Sequence, residues 1–295
     1  MKFVEMFLSG RILVSIMIAA LACLALTFFP LIGALGFEYA AATAFVLSLV
    51  SVFLAGEFAQ TGLKHSIFGR RASDNISSIF LVNFVVLAIA YLIGLVSSLV
   101  KNDCYIAEGS VFFLLIPAVT VFFSTSLGLL SCYVFGRRGF FIAALAVLAI
   151  VVYSLYKLYA GVSLFVYNPV FGFFPGPLYD ENIPVTNTLV IYRASTFLWA
   201  VLMLLLVRIY VAAGYRRYIL WDFILTAAVV SSLIAVYSYR EDIGFDYSRG
   251  YITERVLPGE LETEHFIIHY APGTPEAQYI DLIAADHEWR LMQLS

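Results

Sequence analysis

The chain has 295 residues, of which 62% are hydrophobic and 13% charged, with a formal net charge of −3 and a mean hydropathy of +0.93. A water-soluble domain carries about 25% charged residues, so this composition excludes an ordinary soluble enzyme and predicts an all-α polytopic membrane protein. The small net charge hides a split: residues 240–295 hold four arginines against eleven acids, while the remainder holds thirteen basic and nine acidic residues. An acidic tail argues against nucleic acid or anionic headgroups as its partner.

A lipid-spanning helix needs about 20 apolar residues. Seven runs read this way: 12–34, 39–57, 78–100, 110–134, 139–160, 188–212 and 219–239. Only Phe28-Phe29-Pro30 and the stretch from Gly33 to Glu38 separate the first two, so a broken or re-entrant pair is the alternative there. Lys and Arg in the connecting loops fall ten on one side and three on the other, which places the richer side in the cytoplasm. With seven crossings the N-terminus is then cytoplasmic and the tail extracytoplasmic. Compact loops and low cysteine use fit a bacterial inner membrane. Cys23, Cys104 and Cys132 form no C-x-x-C pair and no disulfide framework. The first apolar run is too long for a signal peptide and lacks a cleavage site before the next span.

Ionisable groups within apolar runs are the usual pointer to ion or proton pathways. Here Glu57, Lys157, Arg193, Arg208 and Asp222 all lie toward span ends, and each is expected to snorkel to the headgroups. No acid sits at mid-membrane, which disfavours a proton- or sodium-coupled transporter. Arg193 lies deepest, and its alternative is an ion pair with Asp180 or Glu181 in the loop 161–187. That loop is aromatic and turn-rich, with Asn168-Pro169 and Pro175-Gly176-Pro177. It reads as an interfacial belt, or as a lid or docking surface for the tail. Asn83, the run Ser124-Thr125-Ser126 and Gly128 are mid-span positions expected to serve helix packing and local hydrogen bonds, with lining of a polar cavity as the alternative.

After a membrane domain (1–239) and a linker of Tyr, Asp and Gly (240–261), the tail segment 262–295 predicts one strand and one helix. Residues 262–271 alternate with period two and end at Pro272-Gly273. Thr274-Pro275-Glu276 reads as a helix start, and Ile280, Ile283, Ala284, His287, Leu291 and Leu294 share one helical face. The strand has no evident partner, so the segment packs on something else or opens a longer soluble domain. His265 and His269, four apart on a strand, would stand about 13 Å apart, too far to share one zinc. His287 falls on the apolar stripe and reads as a packed histidine, with Glu288 on another face.

The strand Thr263-Glu264-His265-Phe266-Ile267-Ile268-His269-Tyr270, the Pro-Gly turn and a helix carrying Asp286-His287-Glu288-Trp289-Arg290 together resemble the opening of gluzincin-like (peptidase MA-like) zinc peptidase domains. The resemblance covers about 33 residues. It implies an extracytoplasmic domain of peptidase type, whose H-E-x-x-H motif would lie downstream. His287-Glu288 is followed by Trp289, Arg290 and Leu291, so that motif is not completed here. No catalytic, cofactor-binding or metal-binding residue is therefore carried over. The expected function is membrane anchoring and presentation of such a domain, in a truncated or split form. The alternative is a permease or accessory subunit of a transport complex, with the tail as a docking arm. Expected partners are the lipid bilayer and another membrane or extracytoplasmic protein touching 161–187 and 262–295. Nucleic acid is not among them.

Overall fold

The structure, a computed structural model, describes residues 10–65, 70–102, 106–161, 165–174, 183–212 and 219–294. The chain divides into two compact units, one ending at Tyr239 and the other beginning at Arg240.

The first unit is built from α1 (Gly10–Leu26), α2 (Phe37–His65), α3 (Arg70–Val100), α4 (Ile106–Phe113), α5 (Val119–Phe135), α6 (Gly139–Ala160), α7 (Asn187–Ala212) and α8 (Ile219–Ser238). Between α6 and α7 lies a two-stranded hairpin, β1 (Val166–Asn168) with β2 (Gly172–Phe174), antiparallel with Asn168 opposite Gly172. Among the described residues, five helical stretches are long and apolar enough to cross a membrane: Phe37–Ala59, Ile76–Val100, Ile106–Ala160, Asn187–Tyr210 and Leu220–Ser238. The third is 55 residues long and turns back at Gly136–Arg138, where Gly136 takes a φ of +60°. Its two limbs run antiparallel, because Thr120 at the start of α5 and Ser154 near the end of α6 both meet residues 168–170.

The first run stops earlier than its composition predicts. Helix α1 ends at Leu26, where the Thr27 hydroxyl donates to the Leu24 carbonyl at 2.7 Å. Pro30 then bars a return to helix. Lys101, at the end of α3, closes the irregular stretch by donating from Nζ to the carbonyls of Thr27 (2.9 Å) and Gly33 (2.8 Å).

Helix α2 is the most enclosed span, with 61% of its apolar window buried against 11% for α8. Gly128 of α5 allows close approach here, since a β-carbon at that position would come within 2.7 Å of the Ala55 β-carbon. The outer surface stays apolar: Leu21, Phe84, Leu145 and Leu220 are all exposed. That exterior suits a lipid bilayer.

The second unit differs from expectation in one main respect. The presumed linker contributes a strand, β3 (Gly259–Glu262), which pairs antiparallel with β4 (Ile267–Tyr270). Two helical turns, Arg240–Ile243 and Arg249–Tyr251, precede it. The strand expected over 262–271 is thus shorter, and His265 sits in the turn between β3 and β4. The helix begins as a 3-10 turn, Pro275–Tyr279, and continues as α9 (Ile280–Leu294). Thr274 precedes the proline, yet its hydroxyl donates back to the Ala271 carbonyl at 3.1 Å and does not cap the helix.

Candidate functional site

The site is assembled by a break in one helix and a hairpin folded inward. Pro117 interrupts the helical ladder after α4, because it has no N–H to donate. The chain widens there into a π turn, Leu114–Ala118, before α5 begins. The carbonyls of Leu115 and Ile116, within this turn, accept from a side chain, and that of Ile116 also accepts from the Val119 N–H. Opposite, the tip of the β1–β2 hairpin is buried: Asn168 and Val170 have no exposed surface. Val170 joins a core cluster with Val52, Ala143 and Val147. Gly172 permits the tip to turn, with a φ of +88° and the Ile116 side chain against it.

Arg193 of α7 fills the space between break and hairpin, and it is 1% exposed. Its Nε donates to the Leu115 carbonyl at 2.7 Å. One terminal nitrogen donates to the Ile116 carbonyl (2.8 Å) and the Thr120 hydroxyl (2.7 Å). The other donates to the Pro169 carbonyl (3.0 Å) and, at longer range, to that of Asn168 (3.4 Å). Five N–H groups thus meet four carbonyls and one hydroxyl, the full capacity of a guanidinium. Thr120 passes its own proton to the Val170 carbonyl at 2.6 Å. Asn168 completes the network. Its Oδ1 accepts from the Val170 N–H at 2.6 Å, and its Nδ2 donates to the Ser154 hydroxyl (2.6 Å) and the Ile150 carbonyl (3.2 Å).

Arg193 therefore does not snorkel. Six residues into α7, it lies roughly 9 Å from the helix end, and local carbonyl dipoles replace the headgroups it would otherwise seek. Asp180 and Glu181, its expected partners, lie outside the described residues. Among the described residues no carboxylate belongs to this shell. The interfacial-belt reading of residues 161–187 is also corrected for the described part of that loop. Its hairpin is an inserted element, with Phe173 packed against Phe37 at 4.7 Å between ring centroids. Irregular backbone is tolerated within a membrane protein where protein buries it and satisfies its polar groups, as here.

Other polar positions act between helices. Asn83 is buried on α3, accepts from the Ser51 hydroxyl of α2 at 2.8 Å and donates to the Ile79 carbonyl at 3.1 Å. Ser126 donates within its own helix to Phe122, while the Ser124 hydroxyl is buried without a hydrogen-bond partner. Asp222 does not snorkel either: it is 3% exposed and pairs with Arg208 at 3.0 Å, joining α8 to α7. Glu57 pairs with Arg11 at 3.2 Å, joining α2 to α1.

In the second unit, the Glu288 carboxylate gathers three donors. These are the Thr263 hydroxyl (2.7 Å), the His265 backbone N–H (2.8 Å) and the His265 ring Nδ1 (2.7 Å). The hydrogen bond it donates to Glu288 holds the His265 ring above its ordinary pKa of 6.5. Glu288 is held below its ordinary 4.5, first by the Thr263 hydroxyl and next by the His265 backbone N–H. His287 stands edge-on to Phe266. Both neighbours on the helix thus engage the hairpin turn, although Glu288 lies off the apolar stripe. His265 and His269 are separated into turn and strand, so the shared-face argument does not apply to them. Among the described residues no group of three or more His, Cys, Asp or Glu side chains converges in a way that could hold a metal.

No protein-family model matches the chain, and comparisons with curated proteins and with solved structures find no match.

Proposed function

We propose that this chain is a multi-pass anchor of a bacterial inner membrane that crosses the bilayer seven times, N-terminus inside, and presents its acidic C-terminal unit outside. The observation that carries this reading is the change of character at one bond. Up to Tyr239 the chain is an apolar helical block, and from Arg240 it folds as a separate polar unit with its own hairpin and helix. Ten Lys and Arg residues in the loops and at the span ends of one side, against three on the other, support the orientation. Seven crossings follow if α1, shortened to 17 residues, also spans and the 55-residue stretch counts twice. The resemblance of residues 263–290 to the opening of a gluzincin-like domain favours a peptidase-type module as what is presented, without a catalytic role for any residue here. Alkaline phosphatase fused after Ser295 tests the orientation. It should be active in intact cells, and activity confined to a cytosolic reporter at the same site would defeat the reading.

A second reading, a permease or accessory transport subunit, is favoured by the buried Arg193 and the inserted hairpin. Broken helices and irregular backbone at depth are how transporter folds build binding sites. Flux through proteoliposomes that is abolished by Arg193→Met but retained after deletion of residues 240–295 would favour this reading over the first.

A further inference from the structure

A trough of about 570 Å³ opens beside the base of the hairpin, within the first unit. Five phenylalanines wall it: Phe29 from the irregular stretch after α1, Phe37 at the start of α2, and Phe171, Phe173 and Phe174 from the hairpin. Ala41 and Ala42 keep one side low. The size falls within the roughly 300–1,000 Å³ of small-molecule sites. One ionisable group lines the trough, Glu38 in the first turn of α2. It is half-buried, and among the described residues no hydrogen bond or ion pair engages its carboxylate. Lys101, which reaches the same irregular stretch, is committed elsewhere, since it donates to the carbonyls of Thr27 and Gly33.

We propose that this trough binds a hydrophobic organic cation, an onium or protonated amine on an aromatic or aliphatic body. The carboxylate supplies the charge partner, and the faces of the phenylalanine rings attract a cation by their quadrupoles. A lipid acyl chain would fill the same volume but leave Glu38 facing hydrocarbon unpaired, which is costly. A second apolar trough of about 530 Å³, between α1, α2 and α6, gives the contrast. Its one charged residue, Arg11, is neutralised by Glu57 at 3.2 Å, so that trough suits an uncharged chain. This inference does not depend on the anchor reading or on orientation.

The test is equilibrium binding of tetraphenylphosphonium to the full chain in nanodiscs, with neutral triphenylphosphine oxide as the uncharged comparison. The wild type should bind the cation saturably and at least about tenfold more tightly than the oxide. Glu38→Gln should remove that preference without lowering the melting temperature, whereas Glu38→Asp retains part of it. Ala42→Trp, which fills the trough and keeps the carboxylate, should abolish binding of both. Equal affinity for cation and oxide, or cation binding unchanged in Glu38→Gln, would overturn the proposal and leave the trough to lipid chains.

Discussion

Arg193 is the residue on which the inner network turns. Removing a charged partner from water costs several kcal/mol, and each hydrogen bond to a charged group returns about 1.5–3 kcal/mol. The five contacts make the balance tolerable, and they also make it specific to a planar fork. Arg193→Lys keeps the charge but offers three donors from one point, so carbonyls on either the π turn or the hairpin lose their partner. Arg193→Met removes the charge and all five donors; the Leu115 carbonyl loses its side-chain partner, while those of Ile116 and Pro169 keep only the Val119 N–H and the Thr120 hydroxyl. Both variants should lower stability by about 3 kcal/mol or more, seen as a large fall in melting temperature in detergent. An unchanged transition in Arg193→Lys would show that fork geometry is irrelevant. The sequence revealed an arginine inside an apolar run, and that much was legible. Its partners were not, because backbone carbonyls of residues 115, 116, 168 and 169 carry no residue-type signature. Pro117, a proline within a spanning run, hinted only that the helical ladder would be irregular nearby.

His265 and Glu288 form a pH-sensitive clip. The histidine's raised pKa contributes stability that is complete below 6.5 and lost as pH rises through the raised value. The glutamate's lowered pKa contributes stability that is complete above 4.5 and lost as pH falls through the lowered value. The clip is therefore fully formed between pH 4.5 and 6.5 and weakens outward on both sides. NMR titration of the His265 ring should give a midpoint above 6.5, returning toward that value in Glu288→Gln. Identical midpoints in the two proteins would dismiss the clip.

Among the elements, the inserted hairpin is the least legible from sequence and the most exacting in geometry. Residues 165–174 have the aromatics of an interfacial belt and the Asn-Pro of a turn, and neither feature tells an outward loop from an inward one. What decides is complementarity. Asn168 closes a turn on Val170 and Phe171 while reaching α6, and Gly172 adopts a φ that side chains resist. Gly172→Val should disturb the hairpin, since even a β-carbon meets Ile116 at 2.9 Å. The expected signature is loss of thermal stability together with faster amide exchange at Asn168 and Val170. A stable variant with protected amides would mean the tip is not held by this fit. The strand β3 was missed for a different reason. Its sequence, Gly-Glu-Leu-Glu, is acidic and poor in β-formers, so it is a strand because β4 offers it a ladder. The close approach of α2 and α5, by contrast, was foreshadowed by Gly128 among hydroxyl residues in an apolar run.

The whole molecule is organised by charge as much as by hydrophobicity. Apolar runs fix which segments enter lipid, and the structure keeps an apolar exterior on those helices. Which way they run is decided outside them, by lysine and arginine in the connections. This makes the 55-residue stretch Ile106–Ala160 the most informative place to test the crossing pattern. Its preceding turn holds Asn102 and its internal reversal holds Arg137, both exposed. If the stretch makes two crossings, one limb separates these positions and they face opposite compartments. With Cys104 replaced by Ser, and Cys23 and Cys132 buried, a single cysteine introduced at either position reports its side. An impermeant maleimide added to intact cells should label Asn102→Cys readily and Arg137→Cys only after the membrane is opened. Labelling of both without permeabilisation would put the reversal at Gly136–Arg138 on the same face as the turn before α4. The basic residues Arg137 and Arg138 would then lie on the side that the charge asymmetry denies them, and neither the crossing count nor the placement of the acidic unit could stand.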